Sequence, residues 1–458
     1  MTVLVKQNAR DIAYKILDQY FNKQKPLNSA LDNILAGKIS RLDKNFAYNV
    51  VKGTVRHRIF IDYCISQLSH VSLSQLDTEV VTILRLGVFQ ILYLDKVPYY
   101  SIVDESVKLA KKYVHSGAAK FINAILRKLS SFEQPKLHMM QLLDRENYHE
   151  FKRTSIHYSY PEWLVEYWIG HYGQMEAEKL MYSLNGNPFT FLRINPEIDR
   201  LQAAKELNLK QEESQIDSGL PPGLAKLNFR LSSLGSILDS QLFYNGLITV
   251  QDISSQIAVR YFLNPQSGEK ILDLCAAPGG KSLFASQLME GRGHIVSVDI
   301  SRKKIKRMEE NIERLGIENI ELLEDDATSL KSLGKDRVFD KIFVDAPCSA
   351  LGTISKNPDA KYGRDYKDLE RLGEKSYQIL KCAKDYLRQK GHLIFYTCTL
   401  SPVENQQVVK RFLKSFPNFS AEEKISTQVK PKISDGFMEI MPYYYGSEGG
   451  FACRMIKG

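Results

Sequence analysis

The chain has 458 residues, of which 43% are apolar and 25% are charged, and its 27 glycines and 16 prolines are too few for a collagen-like or low-complexity protein. At about 150 residues per domain, this length predicts two to four domains. The net charge is +9, and the excess is concentrated in the first 150 residues, which hold 21 basic and 14 acidic side chains. This basic segment indicates either a polyanionic partner such as nucleic acid or a solvated helical surface.

We expect neither a membrane span nor a secretion signal. Residues 80–94 form the most apolar stretch, but Arg85 and Gln90 interrupt it, and a span needs ~18 uninterrupted apolar residues. Lys6 and Arg10 come too early for a signal-peptide core. The six cysteines include no C-x-x-C pair. These features predict a cytoplasmic protein with reduced thiols and no zinc ribbon or other metal site.

The first 130 residues show the apolar spacing of helices and no alternation typical of strands. Two apolar stripes recur at helical intervals: Val103, Val107, Leu109, Ala110 and Val114, and then Ile122, Ile125, Leu126 and Leu129. Ser101 and Asp104 are spaced as a capping pair for the first of these helices. We expect a compact all-α domain over residues 1–131, followed by a polar linker over residues 132–150.

Residues 132–235 are expected to form this linker and a small α+β connector domain. A helix is predicted after Pro161, and a strand over residues 189–194 lies between the Asn187-Pro188 and Asn195-Pro196 turns. Another turn is predicted at Pro221-Pro222-Gly223. Four aromatic residues of this region are candidates either for stacking on bases or for an aromatic core: Tyr158, Tyr160, Trp163 and Trp168.

Strands and helices alternate in the remainder of the chain, which we assign to a third domain over residues 236–458. The predicted strands cover residues 271–274, 294–298, 320–323, 341–344 and 392–397. Ser301 is placed to cap a helix that carries Ile305, Met308, Ile312 and Leu315 on one face and ends at Gly316. This alternation predicts a doubly wound, mainly parallel α/β sheet. Residues 436–444 and 449–456 resemble a closing β-hairpin.

The loop after the first of these strands carries glycines suited to close approach of a ligand. Gly279 and Gly280 precede a helix whose N-terminus would point at that ligand. Gly280-Lys281-Ser282 also matches the end of a Walker A loop, and Asp345 matches a Walker B carboxylate. The first Walker A glycine, however, is replaced by Cys275, so a P-loop NTPase remains only as an alternative.

Carboxylates follow two further strands of the predicted sheet. Asp299 lies 19 residues after Gly280, where a residue that binds ribose hydroxyls is expected, and Asp326 follows the next strand. Acidic strand ends suit a neutral ribose and a cationic ligand, whereas they repel a triphosphate that lacks magnesium. This pattern favours a nucleoside cofactor over a nucleotide triphosphate.

Two cysteines occupy matching positions at the ends of later strands. Cys348 follows the strand over residues 341–344, and Cys398 follows the strand over residues 392–397. Either cysteine alone is most simply a small buried side chain. Because the carboxyl ends of parallel strands meet at one edge of a sheet, the two together predict a thiol site beside the cofactor loop.

Three segments in this order, DLCAAPGGKS (273–282), DAPCS (345–349) and YTCTLSPVEN (396–405), resemble the RNA cytosine-C5 methyltransferases, which are class I enzymes that use S-adenosylmethionine. Residues 1–130 resemble the helical NusB-type RNA-binding domain through RDIA (10–13), LRLG (84–87), Val97-Pro98 and FINAILR (121–127). The combination is the arrangement of the bacterial Sun (Fmu) family. The resemblance therefore implies an all-α NusB-like domain, a small connector and a C-terminal Rossmann-like methyltransferase domain, with 16S ribosomal RNA as the partner.

The resemblance also implies roles for individual residues. The methionine end of S-adenosylmethionine would be lined by Cys275, Ala276, Ala277, Pro278, Gly279, Gly280 and Lys281. Asp299 would hold the ribose, Asp326 would lie near the adenine, and Asp345 would lie between the cofactor and the target base. Cys398 would be the nucleophile, and Cys348 would assist release of the product. Asn357 stands where the family often has a histidine or a basic residue before Pro358, so a role for histidine there is in doubt.

The chemistry explains why a cysteine is needed. Cytosine C5 is a poor nucleophile, but a thiolate that adds to C6 makes C5 able to attack a sulfonium methyl group. DNA cytosine methyltransferases use the Pro-Cys cysteine instead, which would make Cys348 the nucleophile; we favour Cys398. Two rival functions are a non-enzymatic NusB-type RNA-binding factor and an amino-group methyltransferase. The basic run over residues 302–307 is interpreted as the solvated face of a helix rather than as an RNA contact.

Overall fold

The computed structural model describes residues 8–35, 37, 39–187, 189–217, 219–232, 235, 237–423, 425, 429 and 436–458. The chain divides into two compact units. The first contains the residues up to Met181 together with Asn357–Tyr362, and the second contains Tyr182–Lys356 and Gly363–Gly458. Within the described ranges, no helix combines the length and the apolar character needed to cross a membrane.

The first unit is built from helices around one apolar core. Its helices are α1 (Ala9–Phe21), α2 (Leu27–Leu35), α3 (Arg41–Arg56), α4 (Arg58–Leu68), α5 (Thr78–Tyr93), α6 (Tyr99–Tyr113), α7 (Ser116–Ser130), α8 (Pro135–Arg145), α9 (Glu150–Tyr158) and α10 (Glu162–Tyr172), and α11 (Gln174–Asn185) begins in this unit. Ile12 of α1, Leu84 of α5 and Leu126 of α7 are fully buried in the core. The all-α prediction for this part of the chain is confirmed.

The two apolar stripes predicted in this unit lie on α6 and α7. All four apolar residues of the second stripe are buried on α7. On α6, Val103, Leu109 and Ala110 are buried, but the predicted cap is wrong. Pro98 precedes the first helical residue, so the helix begins at Tyr99 and Ser101 lies inside its first turn. The fixed backbone of proline favours a helix start directly after it, ahead of the Ser101 signal.

Residues 132–150 differ from the predicted polar linker because they contain α8. Met139 and Leu143 are spaced four residues apart on one face of this helix, and both are buried in the core of the first unit. Pro135 is buried as well, so three buried positions dock this helix. Of the aromatic candidates, Tyr160 and Trp168 are fully buried with ring centroids 5.5 Å apart, as expected for an aromatic core.

The second unit begins with a small antiparallel sheet in the order β2-β1-β3. Its strands are β1 (Thr190–Ile194), β2 (Asn228–Leu231) and β3 (Ile248–Val250), and the helices that accompany them are α12 (Arg200–Glu206), α13 (Gln211–Ser214), α14 (Pro222–Ala225) and α15 (Gln241–Tyr244). The strand predicted at residues 189–194 is confirmed as β1, whereas Pro188 of the preceding turn lies outside the described residues. The predicted turn at Pro221 leads into α14, a single helical turn.

A larger sheet of eight strands forms the rest of the second unit. Its strands are β4 (Lys270–Leu274), β5 (His294–Asp299), β6 (Ile320–Glu324), β7 (Phe339–Asp345), β8 (Leu387–Thr397), β9 (Phe419–Ala421), β10 (Phe437–Ile440) and β11 (Gly450–Lys457). The order is β10-β11-β8-β7-β4-β5-β6, and β9 pairs with β11. Strands β4 to β8 run parallel, and β11 is antiparallel to β8, β9 and β10. The predicted α/β sheet and its closing hairpin are therefore confirmed.

Helices connect the strands of this sheet. They are α16 (Ile253–Ile257), α17 (Gly280–Leu288), α18 (Arg302–Leu315), α19 (Tyr366–Ala383), α20 (Gln406–Ser415) and α21 (Pro442–Tyr445). On α18, Ile305 and Met308 are buried while the basic residues between 302 and 307 are exposed, as expected for a solvated helix face. The strand order reverses between β4 and β7, which creates a crevice beyond the carboxyl ends of these strands.

Candidate active site

The loop that joins β4 to α17 passes directly over the crevice. Cys275 has a φ of 62° and Gly279 a φ of 98°, so the chain turns twice through the left-handed region. A Cβ atom on Gly279 would lie 2.6 Å from Cγ of Met308, which restricts this position to glycine. The loop residues 275–281 therefore lie where the sequence predicted a cofactor loop, at the topological switch point of the sheet.

Asp299 at the end of β5 orients this loop. One carboxylate oxygen, Oδ2, accepts a hydrogen bond from the backbone N–H of Ala277 at 3.2 Å, and Oδ1 accepts one from Ser301 N at 2.9 Å. A carboxylate has about four acceptor positions, so Asp299 keeps capacity for ligand hydroxyl groups. The side chain is buried, which fixes its orientation toward the loop.

Asp326 lies beyond β6, and its carboxylate is held by a local turn. Oδ1 accepts hydrogen bonds from Thr328 N at 2.9 Å and from Thr328 Oγ1 at 2.8 Å. These two hydrogen bonds lower the pKa of Asp326, so the side chain is ionised near neutral pH. Asp326 thus presents a fixed negative charge at the β6 end of the crevice.

Lys281 and Asp345 form a half-buried ion pair between the cofactor loop and the end of β7. Lys281 Nζ lies 2.6 Å from Asp345 Oδ2 and 4.9 Å above the ring of Tyr396. Burial alone would lower the pKa of Lys281, but the Asp345 carboxylate raises it overall, so the ammonium stays charged. Because the Lys281 ammonium is paired with Asp345, it is less available to bind a phosphate chain than the lysine of a Walker A loop.

The two predicted cysteines meet at the same edge of the sheet. Cys348 follows β7, Cys398 follows β8, and their Sγ atoms are 3.4 Å apart. The hydrogen bond with Cys348, then burial, and then the carboxylates of Asp345 and Glu448 raise the pKa of Cys398 well above that of an ordinary thiol. The resting side chain is therefore a neutral thiol that needs a proton acceptor before it can act as a nucleophile.

Glu404 holds the two cysteine loops together. Its Oε1 accepts a hydrogen bond from Ser349 N at 2.7 Å, and its Oε2 accepts one from Ser349 Oγ at 2.6 Å. Ser349 Oγ also lies 2.7 Å from Thr399 Oγ1. The residue after each cysteine is thus tied to one buried carboxylate, which sets the spacing of the two sulfur atoms.

Asn405 adds a second connection within the loop that carries Cys398. Its Nδ2 donates to Thr399 O at 3.0 Å, and its Oδ1 accepts from Thr397 Oγ1 at 2.6 Å. These contacts hold the residues on both sides of Cys398. In the sequence analysis, Glu404 and Asn405 counted only as part of the motif that carries the family resemblance. Their position shortly after Thr397-Cys398-Thr399 was the one sequence signal that they hold the cysteine loop.

Gln251 and Asp273 are further residues of the site, and no sequence pattern assigned a role to them. Gln251 Nε2 donates to Gly280 O at 2.8 Å, which anchors the first turn of α17. Asp273 lies under the loop, and burial raises its pKa to about 7, opposed by a hydrogen bond from Ser282. Within the described part of the chain, no group of three or more His, Cys, Asp or Glu side chains is arranged to hold a metal ion.

The Rossmann-like sheet, the loop at its switch point and the paired thiols are the arrangement expected of a class I methyltransferase, and a helical unit precedes them in the chain. Comparisons with known proteins agree with this class. Residues 260–456 match the family described as 16S rRNA methyltransferase RsmB/F, and residues 7–131 match the NusB family.

Full-length relatives place the chain more narrowly. The probable ribosomal RNA small subunit methyltransferase B of Bacillus subtilis is 32% identical and covers 99% of both chains. A methyltransferase homologue from Pyrococcus horikoshii is 25% identical with a TM-score of 0.56, over 67% of this chain and 99% of its own. The crystal structure of PH0851 shares the fold, with a TM-score of 0.78 at 22% identity over 99% of this chain and all of its own. The chain belongs to the ribosomal RNA small subunit methyltransferase B family and acts on RNA.

Proposed function

We propose that the protein transfers a methyl group from S-adenosylmethionine to C5 of a cytosine in 16S rRNA, through a covalent bond between Cys398 and C6 of the base. The observation that carries the proposal is the 3.4 Å distance between the sulfur atoms of Cys348 and Cys398 beside the cofactor loop. A methyltransferase that modifies a nitrogen or a ribose oxygen has no use for two adjacent thiols, whereas C5 chemistry needs a nucleophile and a group that assists its release.

The residues of the crevice suit S-adenosylmethionine, which supplies an electrophilic methyl group on a sulfonium centre. Asp299 has free acceptor positions for ribose hydroxyls, and Asp326 is a fixed anion at the next strand end. The loop over residues 275–281 would hold the methionine end. Anionic side chains favour a cationic cofactor and disfavour a triphosphate, which supports this cofactor over the ATP of a P-loop NTPase.

Cys398 begins the reaction in this mechanism. As its Sγ–C6 bond forms, the thiol gives up its proton and the C5–C6 electron pair shifts toward N3, which takes up a proton. Asp345 is the candidate to take the thiol proton and give it to N3, because its carboxylate, held by Lys281, lies near enough to Cys398 for its charge to raise the pKa of that thiol. The resulting enamine makes C5 nucleophilic enough to take the methyl group.

Cys348 completes the reaction by assisting release. After methylation, the C5 proton must leave so that the C5–C6 double bond re-forms and the Sγ–C6 bond to Cys398 breaks. Cys348 in its thiolate form, directly or through a water molecule, is the candidate acceptor for that proton because its sulfur lies beside Cys398. The proton on N3 then returns through Asp345 to the Cys398 thiolate, which leaves a neutral base and a neutral thiol. The target base must be unstacked to reach the thiol, which favours a loop or junction cytosine.

We assign RNA binding mainly to the domain over residues 1–131 and catalysis to the domain over residues 236–458. Residues 132–235 are assigned as the connector, although α8 within them packs into the core of the first unit. The first 150 residues carry 21 basic side chains against 14 acidic ones. A phosphate backbone is the natural partner for such a surface, and the affinity should fall steeply with salt because bound counterions are released.

The test follows the hydrogen at C5. Purified protein is incubated with S-adenosylmethionine and 16S rRNA that carries tritium at C5 of its cytosines. The proposal predicts one tritium released to water for each methyl group transferred, and 5-methylcytidine in the nuclease digest. Methyl transfer without tritium release would contradict it.

A further inference from the structure

Three charged side chains from separate segments of the second unit meet beside the cysteine loops. Lys356 Nζ lies 3.3 Å from Asp252 Oδ2 and 3.0 Å from Glu448 Oε1. The backbone N–H of Glu448 donates to Asp252 Oδ2 at 3.1 Å, so the two acidic residues are also joined directly. Asp252 itself is fixed at the start of α16 by hydrogen bonds from Ser254 N at 2.9 Å and Ser254 Oγ at 2.8 Å.

The backbone at Glu448 packs close to that of Cys398. Gly449 N donates to Gly352 O at 2.8 Å, and Gly352 N donates to Cys398 O at 3.0 Å. A Cβ atom on Gly352 would lie 2.3 Å from Gly449 O and 2.7 Å from Cys398 O. The backbone of Gly352 therefore lies between the segment that contains Glu448 and the backbone of Cys398, and it is hydrogen-bonded to both.

The carboxylate of Glu448 lies near enough to the reactive groups for their charges to act on one another. Its charge contributes to the raised pKa of Cys398, after the hydrogen bond with Cys348, burial, and the charges of Cys348 and Asp345. Burial, followed by the charge of Asp252, raises the pKa of Glu448 itself, and Lys356 and Lys281 oppose that rise. The side chain is 16% exposed, so it is largely buried beside the cysteine loops.

The carboxylate of Glu448 keeps hydrogen-bond acceptor positions that Lys356 does not use. Two carboxylates share Lys356, while Asp345 has its own partner in Lys281. Lys356 contacts Oε1 of Glu448, and a carboxylate has about four acceptor positions. Glu448 is therefore held in place and still able to accept a hydrogen bond from a base bound over Cys398.

We propose that Glu448 is a specificity-determining residue, which accepts a hydrogen bond from the exocyclic amino group of the target cytosine. Uracil presents an oxygen at that position, so two acceptors would face each other and the base would be rejected. Lys356 and Asp252 are positioning residues that hold Glu448. The inference rests on the proposed function. In it, Asp345 contacts N3 of the base and Glu448 contacts the exocyclic amino group.

The experiment compares two rRNA substrates that differ only in having cytosine or uracil at the mapped target position. For each protein, kcat/KM is measured for both substrates with methyl-labelled S-adenosylmethionine. Glu448→Gln should lower the preference for cytosine over uracil by ~10- to 100-fold, because the amide can donate to the uracil oxygen. Glu370→Gln, which removes an exposed carboxylate from α19, should leave the preference unchanged.

An unchanged preference in Glu448→Gln would overturn the inference, and so would an equal loss on both substrates in a variant that melts like the parent protein. If Glu448→Gln does not fold, Glu448→Asp serves instead, because it withdraws the carboxylate by one methylene group. A fall in preference then supports the inference and an unchanged preference overturns it. Absence of cytosine C5 methylation by the unaltered protein would contradict the proposed function itself, which keeps the two failures distinct.

Discussion

The helical unit and the catalytic sheet carry their functional groups in opposite ways. In the helical unit, basic side chains such as Lys111, Lys120 and Lys128 are exposed and spread over several helices. In the sheet, four groups of the proposed mechanism meet within two short contacts, Lys281 with Asp345 and Cys348 with Cys398. A dispersed charge pattern tolerates the loss of any one member, whereas a contact site does not. Single substitutions should therefore have large effects in the sheet and small effects in the helical unit.

The largest effect is expected for the nucleophile. Cys398→Ala should lower methyl transfer by at least ~10³-fold, because no other group replaces the Sγ–C6 bond. Cys382→Ala is the matched control, since Cys382 is a half-buried thiol on α19 in the same unit. Rates are measured by transfer of a labelled methyl group to rRNA. Substantial activity in Cys398→Ala would show that another thiol attacks the base.

Cys348→Ala should block the reaction at a later stage. Without assistance to its release, the protein should remain attached to RNA, and a band that resists denaturation should accumulate in the presence of S-adenosylmethionine. The double variant that also lacks Cys398 is the control and should form no such band. If the band forms in Cys398→Ala and not in Cys348→Ala, the two roles are exchanged.

Glu404→Gln tests the spacing of the sulfur atoms. The variant replaces one acceptor for Ser349 with an amide N–H group, so the two cysteine loops should separate and kcat should fall by ~100-fold, as expected for a displacement of about 1 Å. The buried donor left unpaired should also lower the free energy of unfolding by ~1–3 kcal/mol. Glu310→Gln on the exposed face of α18 is the control. Parent-like kcat would contradict the role of Glu404.

Asp299→Asn tests the cofactor side of the site. Loss of a charged acceptor for a ribose hydroxyl should weaken S-adenosylmethionine binding by ~10- to 100-fold in equilibrium dialysis. The exposed Asp336→Asn should bind as the parent does. Dialysis of the parent protein against ATP with magnesium should show no binding, and binding there would favour a P-loop NTPase instead.

The smallest effect is expected in the helical unit. Lys120→Ala should weaken RNA binding about two-fold. The plot of log affinity against log salt concentration should become less steep by less than one unit of slope. Lys335→Ala removes an exposed charge from the second unit and serves as the control. A loss of ten-fold or more for Lys120→Ala would mean that the helical unit also recognises RNA through a concentrated site.

Much of the fold follows from local sequence patterns. Strands β4 and β7 are mostly buried, and each contains short apolar runs, Ile271-Leu272 and Ile342–Val344. The apolar stripe of α7 has the helical interval. Such signals do not depend on distant residues. The cap of α6 was wrongly predicted because two start signals lie three residues apart. Helix α8 was missed because only three of its positions are buried.

The candidate site was predictable where its residues lie at or shortly after the end of a strand. Asp299 and Asp345 end β5 and β7, Cys348 and Cys398 follow β7 and β8, and parallel strands bring their ends to one edge. The role of Glu404 depends on hydrogen bonds across 55 positions of the chain, and the Lys356 contact with Asp252 spans 104. No local pattern marks partners at such separations, so these contacts required the structure.

The most direct test of the mechanism is the identity of the cysteine joined to RNA. The adduct of Cys348→Ala is digested with nuclease and protease, and the modified peptide is sequenced by mass spectrometry. The mechanism predicts a 5-methylated cytidine on Cys398 in the peptide that follows β8. A nucleotide on any other residue, or a peptide with Cys398 unmodified, would contradict it.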